Sequence, residues 1–342
     1  MTDLLERLEH GSVICAEGYL FELERRGYLQ AGGFVPEVVL ENPDKVAELH
    51  REFVHAGSDV VEAFTYYAHR EKLRLIGKEY LLEEINRRAL DIAKEVASES
   101  GTMLAGNVCN TNLYGGDESR ETVRAMFTEQ VGWAAEAGVD FVVGETFSWL
   151  GEALVATEAI KETGLPAVVT LTAHKDPQMR DGVSPAEACK RLEAAGADVV
   201  GLNCGRGPAT ILPLLEEVCN SVSVPVAALP VPYRTTEEQP SFQSLEDPHA
   251  EVLPEGRAFP TALDPFTCNR YEIAEFTKAA YELGARYLGV CCGAAPHHVR
   301  SMAEALGRTP PASRYTADMS KHAYLGSDPT LKAEYREYAD RL

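Results

Sequence analysis

Arg286-Tyr287-Leu288-Gly289-Val290-Cys291-Cys292-Gly293 is the stretch whose reading decides the fold. A short run of aromatic and branched residues ends in two adjacent cysteines and a glycine, and Pro296 then opens a helix. That pattern fits a buried strand delivering sulfur to its own C-terminal tip. Ala197-Asp198-Val199-Val200-Gly201-Leu202-Asn203-Cys204-Gly205 has the same form. If both tips lie on one rim of a closed sheet, the sulfurs of Cys204, Cys291 and Cys292 converge. Three thiolates with a free fourth position make a zinc site that can still do chemistry. Neighbouring strand residues point to opposite faces. Cys291 and Cys292 therefore reach one ion only if the strand stops and the backbone turns, as Gly293 permits.

A degenerate repeat surrounds these tips. Ala56-Gly57-Ser58-Asp59-Val60-Val61, Ala137-Gly138-Val139-Asp140-Phe141-Val142, Ala195-Gly196-Ala197-Asp198-Val199-Val200 and Leu283-Gly284-Ala285-Arg286-Tyr287-Leu288 each read as a helix end, a glycine C-cap and a buried strand. Eight strands are expected, at 12–16, 59–65, 103–108, 139–145, 167–172, 197–203, 224–229 and 286–292. Helices are expected near 44–57, 79–99, 118–137, 151–163, 184–195, 208–220, 268–283 and 296–306. Ser184 with Glu187, and Asn269 with Glu272, are capping boxes. Strand–helix alternation with near-continuous apolar strands implies a parallel sheet covered by helices. Eight such units suggest closure into a (β/α)8 TIM barrel over residues 1–308, with an open doubly wound sheet as the alternative. Residues 309–342 form a short tail that packs on a partner subunit in this reading.

Barrel chemistry collects at the C-terminal ends of the strands. Three long connections belong to that face: 107–116, 174–180 and the Pro-rich 230–265, which carries seven of the nineteen prolines and is expected to be an ordered lid. The balance of 53 acidic against 32 basic residues, a formal charge of -21, excludes nucleic acid and disfavours anionic membranes. Neither a leader pattern nor a spanning run is evident, so a cytoplasmic setting with eight reduced cysteines is expected. Cysteines 15, 109, 189, 219 and 268 read as structural.

Gly201-Leu202-Asn203-Cys204 and Gly289-Val290-Cys291-Cys292-Gly293, followed by Pro296-His297-His298-Val299-Arg300, resemble the homocysteine S-methyltransferase family. Phe21-Glu22-Leu23-Glu24-Arg25-Arg26-Gly27-Tyr28, Leu49-His50-Arg51-Glu52-Phe53 and Ala63-Phe64-Thr65-Tyr66-Tyr67 look more particularly like its betaine–homocysteine branch. The resemblance runs over roughly residues 5–305 and implies a zinc-binding barrel that methylates homocysteine sulfur. The physics agrees: a free thiol, with a pKa of about 8.5, is mostly protonated at neutral pH, and zinc deprotonates it. With three cysteinates the site stays anionic, so a fourth thiolate remains nucleophilic. Attack on a methyl carbon borne by a positive nitrogen or sulfur then needs alignment rather than a general acid.

Glu145 ends the fourth strand, and both its rim position and the resemblance point to the homocysteine ammonium. The family generally carries an aspartate before glycine after strand one; here Ala16 takes that place and Glu17 is the substitute. Thr146 and Asn203, beside Glu145 and Cys204, complete the expected substrate-binding set. A quaternary ammonium donor is recognised by aromatic faces, with Phe34, Tyr66, Tyr67, Tyr19, Phe147, Trp149 and Tyr233 as candidates and Tyr67 foremost. Phe34 stands where animal betaine enzymes carry tryptophan. Arg234 or His249 is offered for a donor carboxylate, while His297 and His298 read as capping groups rather than ligands. The expected donor is glycine betaine or a close analogue. Alternatives are a sulfonium donor (S-methylmethionine or dimethylsulfoniopropionate), a noncatalytic zinc- and homocysteine-binding module, and, more weakly, a metal-dependent hydrolase. Vertebrate members carry a longer C-terminal extension used in assembly, so a homodimer is expected ahead of a tetramer.

Overall fold

In a computed structural model, described over residues 3–253 and 256–342, the apolar runs become eight parallel strands. They are β1 Val13–Ala16, β2 Val60–Glu62, β3 Met103–Cys109, β4 Phe141–Phe147, β5 Ala167–Leu171, β6 Val199–Asn203, β7 Val226–Leu229 and β8 Ala285–Val290. Each pairs with the next, and β8 closes on β1 to make a barrel. The expected helices cover it, with the longest at Leu82–Ser100 and Arg120–Ala137. Both capping boxes form their key bonds: Glu187 N donates to Ser184 Oγ at 3.2 Å, and Asn269 N donates to Glu272 Oε2 at 2.7 Å.

Alternation along the strands sorts the interior. Val13, Cys15, Val60, Met103, Ala105, Phe141, Val143, Val168, Val199, Ala227, Leu229 and Tyr287 form one inward-facing cluster. Its lower end is plugged by Leu4 and Leu8 of the helix Leu4–His10, which the sequence reading did not anticipate. Continuing the period of two upward from this layer reaches Glu17, Glu62, Asn107, Glu145, Asn203 and Cys291. The barrel's upper layer is therefore polar, and all six residues are buried.

Three C-terminal strand ends differ from expectation by two residues or more. β8 stops at Val290 rather than 292, so both cysteines lie in the turn that follows, where Cys291 N donates to Pro230 O at 2.9 Å. β2 stops at Glu62 rather than 65, and β4 runs on to Phe147. The connection 230–265 is anchored by Phe242, whose N–H donates to Gly205 O at 2.8 Å; residues 254 and 255 of the expected lid lie outside the described residues. The tail carries short turns and one helix, Ala333–Tyr338. Among the described residues, no helix is long and apolar enough to cross a membrane.

Candidate metal centre and its two cavities

Cys204 follows the last residue of β6. It takes a left-handed backbone, φ 53°, and Gly205 repeats it at φ 62°. A side chain at Gly205 would meet Ala173 O at 2.6 Å, so this second turn needs glycine. Gly293, at φ 93°, plays the same part for the other two cysteines, beneath the Tyr233 hydroxyl. The result brings the Cys204, Cys291 and Cys292 sulfurs within 4.8 Å of one another.

All eight cysteines are free. The Cys291 and Cys292 sulfurs are 3.9 Å apart, close to the ~3.8 Å expected across a tetrahedral ion with Zn–S bonds of about 2.3 Å. The neighbouring Cys291 and Cys292 thiols hold the Cys204 thiol well below the ordinary range and are themselves pushed up, and Cys291 Sγ donates to Cys292 Sγ. Three thiolates this close repel one another, and a cation among them removes that cost. The donor set fits a zinc ion.

Glu145 and Thr146 reach the site through a bulge in β4. Gly144 pairs with Val169 and Phe147 with Leu171, so β4 carries one extra residue there. Thr146 absorbs it at φ 62°, costly for a β-branched residue. Side chains of successive residues consequently aim at one point. Asn203 Nδ2 donates to Glu145 Oε2 at 2.8 Å and to Thr146 Oγ1 at 2.9 Å, and its Oδ1 accepts the Thr146 N–H at 3.0 Å. Glu17 Oε2 lies 3.4 Å from the same amide nitrogen.

Sequence reasoning missed Glu62 and Asn107. Asn107 Nδ2 donates to Glu62 Oε1 and, at 2.7 Å, to Glu145 Oε1. The available signal was a polar residue at an inward position of an otherwise apolar strand. Burial raises the pKa of all three carboxyls; for Glu17 and Glu62 the neighbouring Glu145 adds to it, and Glu145 itself is pushed up to about 7.

This has a sign that can be measured. Glu145 keeps its proton longer folded than unfolded, where glutamate titrates near ~4.3. Its contribution to stability is complete below that value and is lost as pH rises through about 7. Metal-free protein is expected to lose on the order of 3 kcal/mol from this group between about pH 4.5 and 8. Urea denaturation across that range checks it, and Glu145→Gln should flatten the slope.

Two cavities meet at the cysteines. A narrow buried one is lined by Glu17, Glu62, Asn107, Glu145 and Cys291, among others. A wide one of about 840 Å³ opens outward past Phe34, Tyr67, Thr146, Trp149, Arg180 and Cys204. Cys292 and Tyr66 line both. Phe34 stacks on Phe21 with centroids 5.8 Å apart, and Tyr66 and Tyr67 lie 4.4 Å apart. Tyr67 also holds a left-handed backbone, φ 63°, with its N–H on Cys109 Sγ at 3.2 Å.

Several candidates fall elsewhere. Phe147 packs edge-on against Phe127 in the core, and the buried Tyr233 hydroxyl accepts from Arg25 at 2.8 Å. Tyr19 borders the narrow cavity, but its ring packs on His50 and Phe53. Arg234 is held on the surface by both oxygens of Glu272, at 2.6 and 2.7 Å, and His249 is exposed away from the cavity. Arg180, 5.6 Å from the Trp149 ring, is the guanidinium that does line it. His298 accepts from Ala295 N and touches Cys268 O, each at 3.1 Å, so both ring nitrogens are occupied away from the sulfurs.

The sequence profile of homocysteine S-methyltransferases matches residues 14–306. The chain belongs to the homocysteine S-methyltransferase family. It is accordingly a methyltransferase, and the hydrolase and noncatalytic alternatives give way. Among similar members, a betaine–homocysteine S-methyltransferase 1 of Xenopus tropicalis is 36% identical over 99% of this chain and 85% of its own. An S-methylmethionine–homocysteine S-methyltransferase of Pongo abelii is 34% identical over 99% of this chain and 92% of its own. The metallated form of the Escherichia coli homocysteine methyltransferase MmuM superposes with a TM-score of 0.66 at 18% identity, covering 86% of this chain and 96% of that one. That likeness speaks to the barrel. Within the family, the two named donors stand at nearly equal identity.

Proposed function

We propose that the protein moves a methyl group from glycine betaine, or a close quaternary ammonium analogue, to the sulfur of homocysteine, giving methionine and the demethylated donor. The supporting observation is that Cys292 and Tyr66 border both cavities, so an acceptor whose ammonium enters the narrow one meets a donor in the wide one at the sulfurs. Cys204, Cys291 and Cys292 would hold Zn2+, which when bound keeps an acceptor thiol deprotonated at neutral pH. Glu145 and Glu17 receive the acceptor ammonium, with Asn203 and Thr146 fixing Glu145. Tyr67 and Phe34 offer π faces to the donor cation, and Arg180 a fork for its carboxylate. The leaving amine departs neutral, so the residues' task is alignment and exclusion of water.

A sulfonium donor is the second reading, because the Pongo abelii relative is named for one and aromatic faces serve either cation. We further read 1–308 as the barrel and 309–342 as a tail on the partner of a cytoplasmic homodimer. Exposed Tyr315, Met319, Leu325 and Tyr338 in that tail support the pairing.

Metal analysis with a donor panel tests the proposal. About one zinc per chain is expected, with methionine formed from homocysteine and glycine betaine without added cobalamin or folate. Turnover of S-methylmethionine or dimethylsulfoniopropionate at more than about tenfold higher kcat/KM, a full 1.4 kcal/mol of preference, would move the assignment to the sulfonium class. Full activity in metal-free protein would end the zinc reading.

A further inference from the structure

The narrow cavity is bordered by an oxygen that nothing in the protein uses. Asn107 lines that cavity at 5% exposure, and its Oδ1 is buried without a hydrogen-bond partner. Its amide nitrogen, by contrast, is fully spent: Nδ2 donates to Glu62 Oε1 and, at 2.7 Å, to Glu145 Oε1. An ammonium on Glu145 keeps that carboxyl ionised and accepting, so the amide must turn its nitrogen to it and its oxygen away. Glu62 is itself held from behind, since Cys15 Sγ donates to its Oε2 at 3.5 Å. Cys15, Glu62 and Asn107 therefore form one strut across β1, β2 and β3, with both Glu62 oxygens occupied and Asn107 Oδ1 free at its end.

That oxygen lies where the acceptor's ammonium is placed. The amide's own size puts Oδ1 within about 5 Å of Glu145 Oε1, a span that one nitrogen bridges with two bonds of about 2.9 Å. An oxygen of Glu17 and one of Glu145 lie within 4.8 Å of each other, and Glu17 Oε1 is also buried and unpartnered. An alkylammonium has three N–H donors, and Glu17, Glu145 and Asn107 supply three oxygens. The free volume of the narrow cavity is about 10 Å³, that of a single water-sized group. A methyl on the nitrogen would remove one donor and find no room.

We infer that Asn107 Oδ1 is a direct ligand of the acceptor's ammonium, that Glu62 is the positioning residue that aims it, and that the pair restricts the acceptor to primary amines. This rests on the methyl-transfer reading above and adds no chemical step to it.

The test sets homocysteine against N-methylhomocysteine on the purified, metal-loaded full chain. Glycine betaine and S-methylmethionine are each supplied as donor, and binding is also followed by calorimetry without donor. Wild-type protein should disfavour the N-methyl acceptor by at least about a hundredfold in kcat/KM, the combined scale of one lost bond to a charged group and one methyl forced into a filled site. Asn107→Ala removes the oxygen and opens space beside it. Homocysteine should then fall by about ten- to a hundredfold while the N-methyl acceptor holds or improves, so the preference shrinks to within about tenfold. An asparagine that merely positioned Glu145 would lower both acceptors alike and leave their ratio as it was. Glu62→Leu should weaken homocysteine binding by about tenfold, and Glu62→Gln, which keeps an oxygen for Asn107 Nδ2, should recover most of that loss. In the Asn107→Ala background, Glu62→Leu should add no further loss.

A smaller wild-type preference, or one that Asn107→Ala leaves unchanged, overturns the inference. Zinc content and circular dichroism verify each variant; if the alanine protein does not fold, Asn107→Ser, which keeps a hydroxyl toward the two carboxyls, is read by the same ratio. If homocysteine is not methylated with either donor, the functional reading fails. The calorimetric ratio of the two acceptors, wild type beside Asn107→Ala, then decides the inference by itself, and failure of homocysteine to bind at all rejects both.

Discussion

Cys204→Ala protein is expected to purify with less than about a tenth of a zinc per chain and to lose methyl transfer by at least about a thousandfold, because one of three thiolates is gone from a site whose ligand binding supplies on the order of 10 kcal/mol. Cys204 is the ligand whose loss is most informative. It comes from β6, whereas Cys291 and Cys292 share one turn after β8. Its thiol is also the one of the three held below the ordinary range, by the two neighbouring thiols. Their two sulfurs alone leave a weak, open chelate. The substitution removes a small buried side chain from a left-handed position, so the fold should survive, and circular dichroism with thermal melting checks that. Cys189→Ala is the matched control: Cys189 is buried outside the trio, between its own helix and Gly201 O. Wild-type zinc content in Cys204→Ala would show that the three sulfurs do not share an ion.

The second large effect belongs to Asn203→Asp. The substitution keeps the volume and replaces an amide nitrogen that donates to Glu145 and Thr146, and lies 3.4 Å from Glu17, with an oxygen that, when ionised, can only accept or repel. A fourth buried carboxyl then faces three others. The variant should lose about 3–5 kcal/mol at pH 7.5, as expected for an uncompensated buried charge, and methyl transfer should fall by more than about a hundredfold, since Glu145 is no longer held. The sign with pH is set by protonation: at pH 5 the added carboxyl can take a proton and donate in the amide's place, so part of the stability returns. Urea melts at the two pH values measure this directly. Equal stability of variant and wild type at pH 7.5 would sink the description of Asn203 as the bridge of the upper layer.

Both predictions turn on side chains that share the barrel's inner face, and the two were unequally legible. Cys204, Cys291 and Cys292 announce themselves because a cysteine between an apolar run and a glycine has few structural uses. Glu62 and Asn107 do not announce themselves: each is one polar residue in a strand, and its meaning depends on whether its parity faces inward. Parity is fixed by register with neighbouring strands, such as Glu62 opposite Ala105 and Cys109 opposite Glu145. The donor side was read less well for a similar reason. Arg234 lies on the right connection, but Glu272 holds it outward through two hydrogen bonds. Arg180, in another connection, takes up the cavity wall.

By itself, the sequence determined the alternation of strands and helices, a parallel sheet of eight units and the cysteines at two strand ends, because these follow from local periodicity, glycine caps and residue type. Tertiary structure alone decided that β8 ends before its cysteines, that a bulge turns Thr146 to the same side as Glu145, that Leu4 and Leu8 close the barrel floor, and that three glutamates meet over two asparagines. Those outcomes depend on which atoms of distant strands come within hydrogen-bonding distance. That is set by the barrel's closure and not by any local stretch of chain.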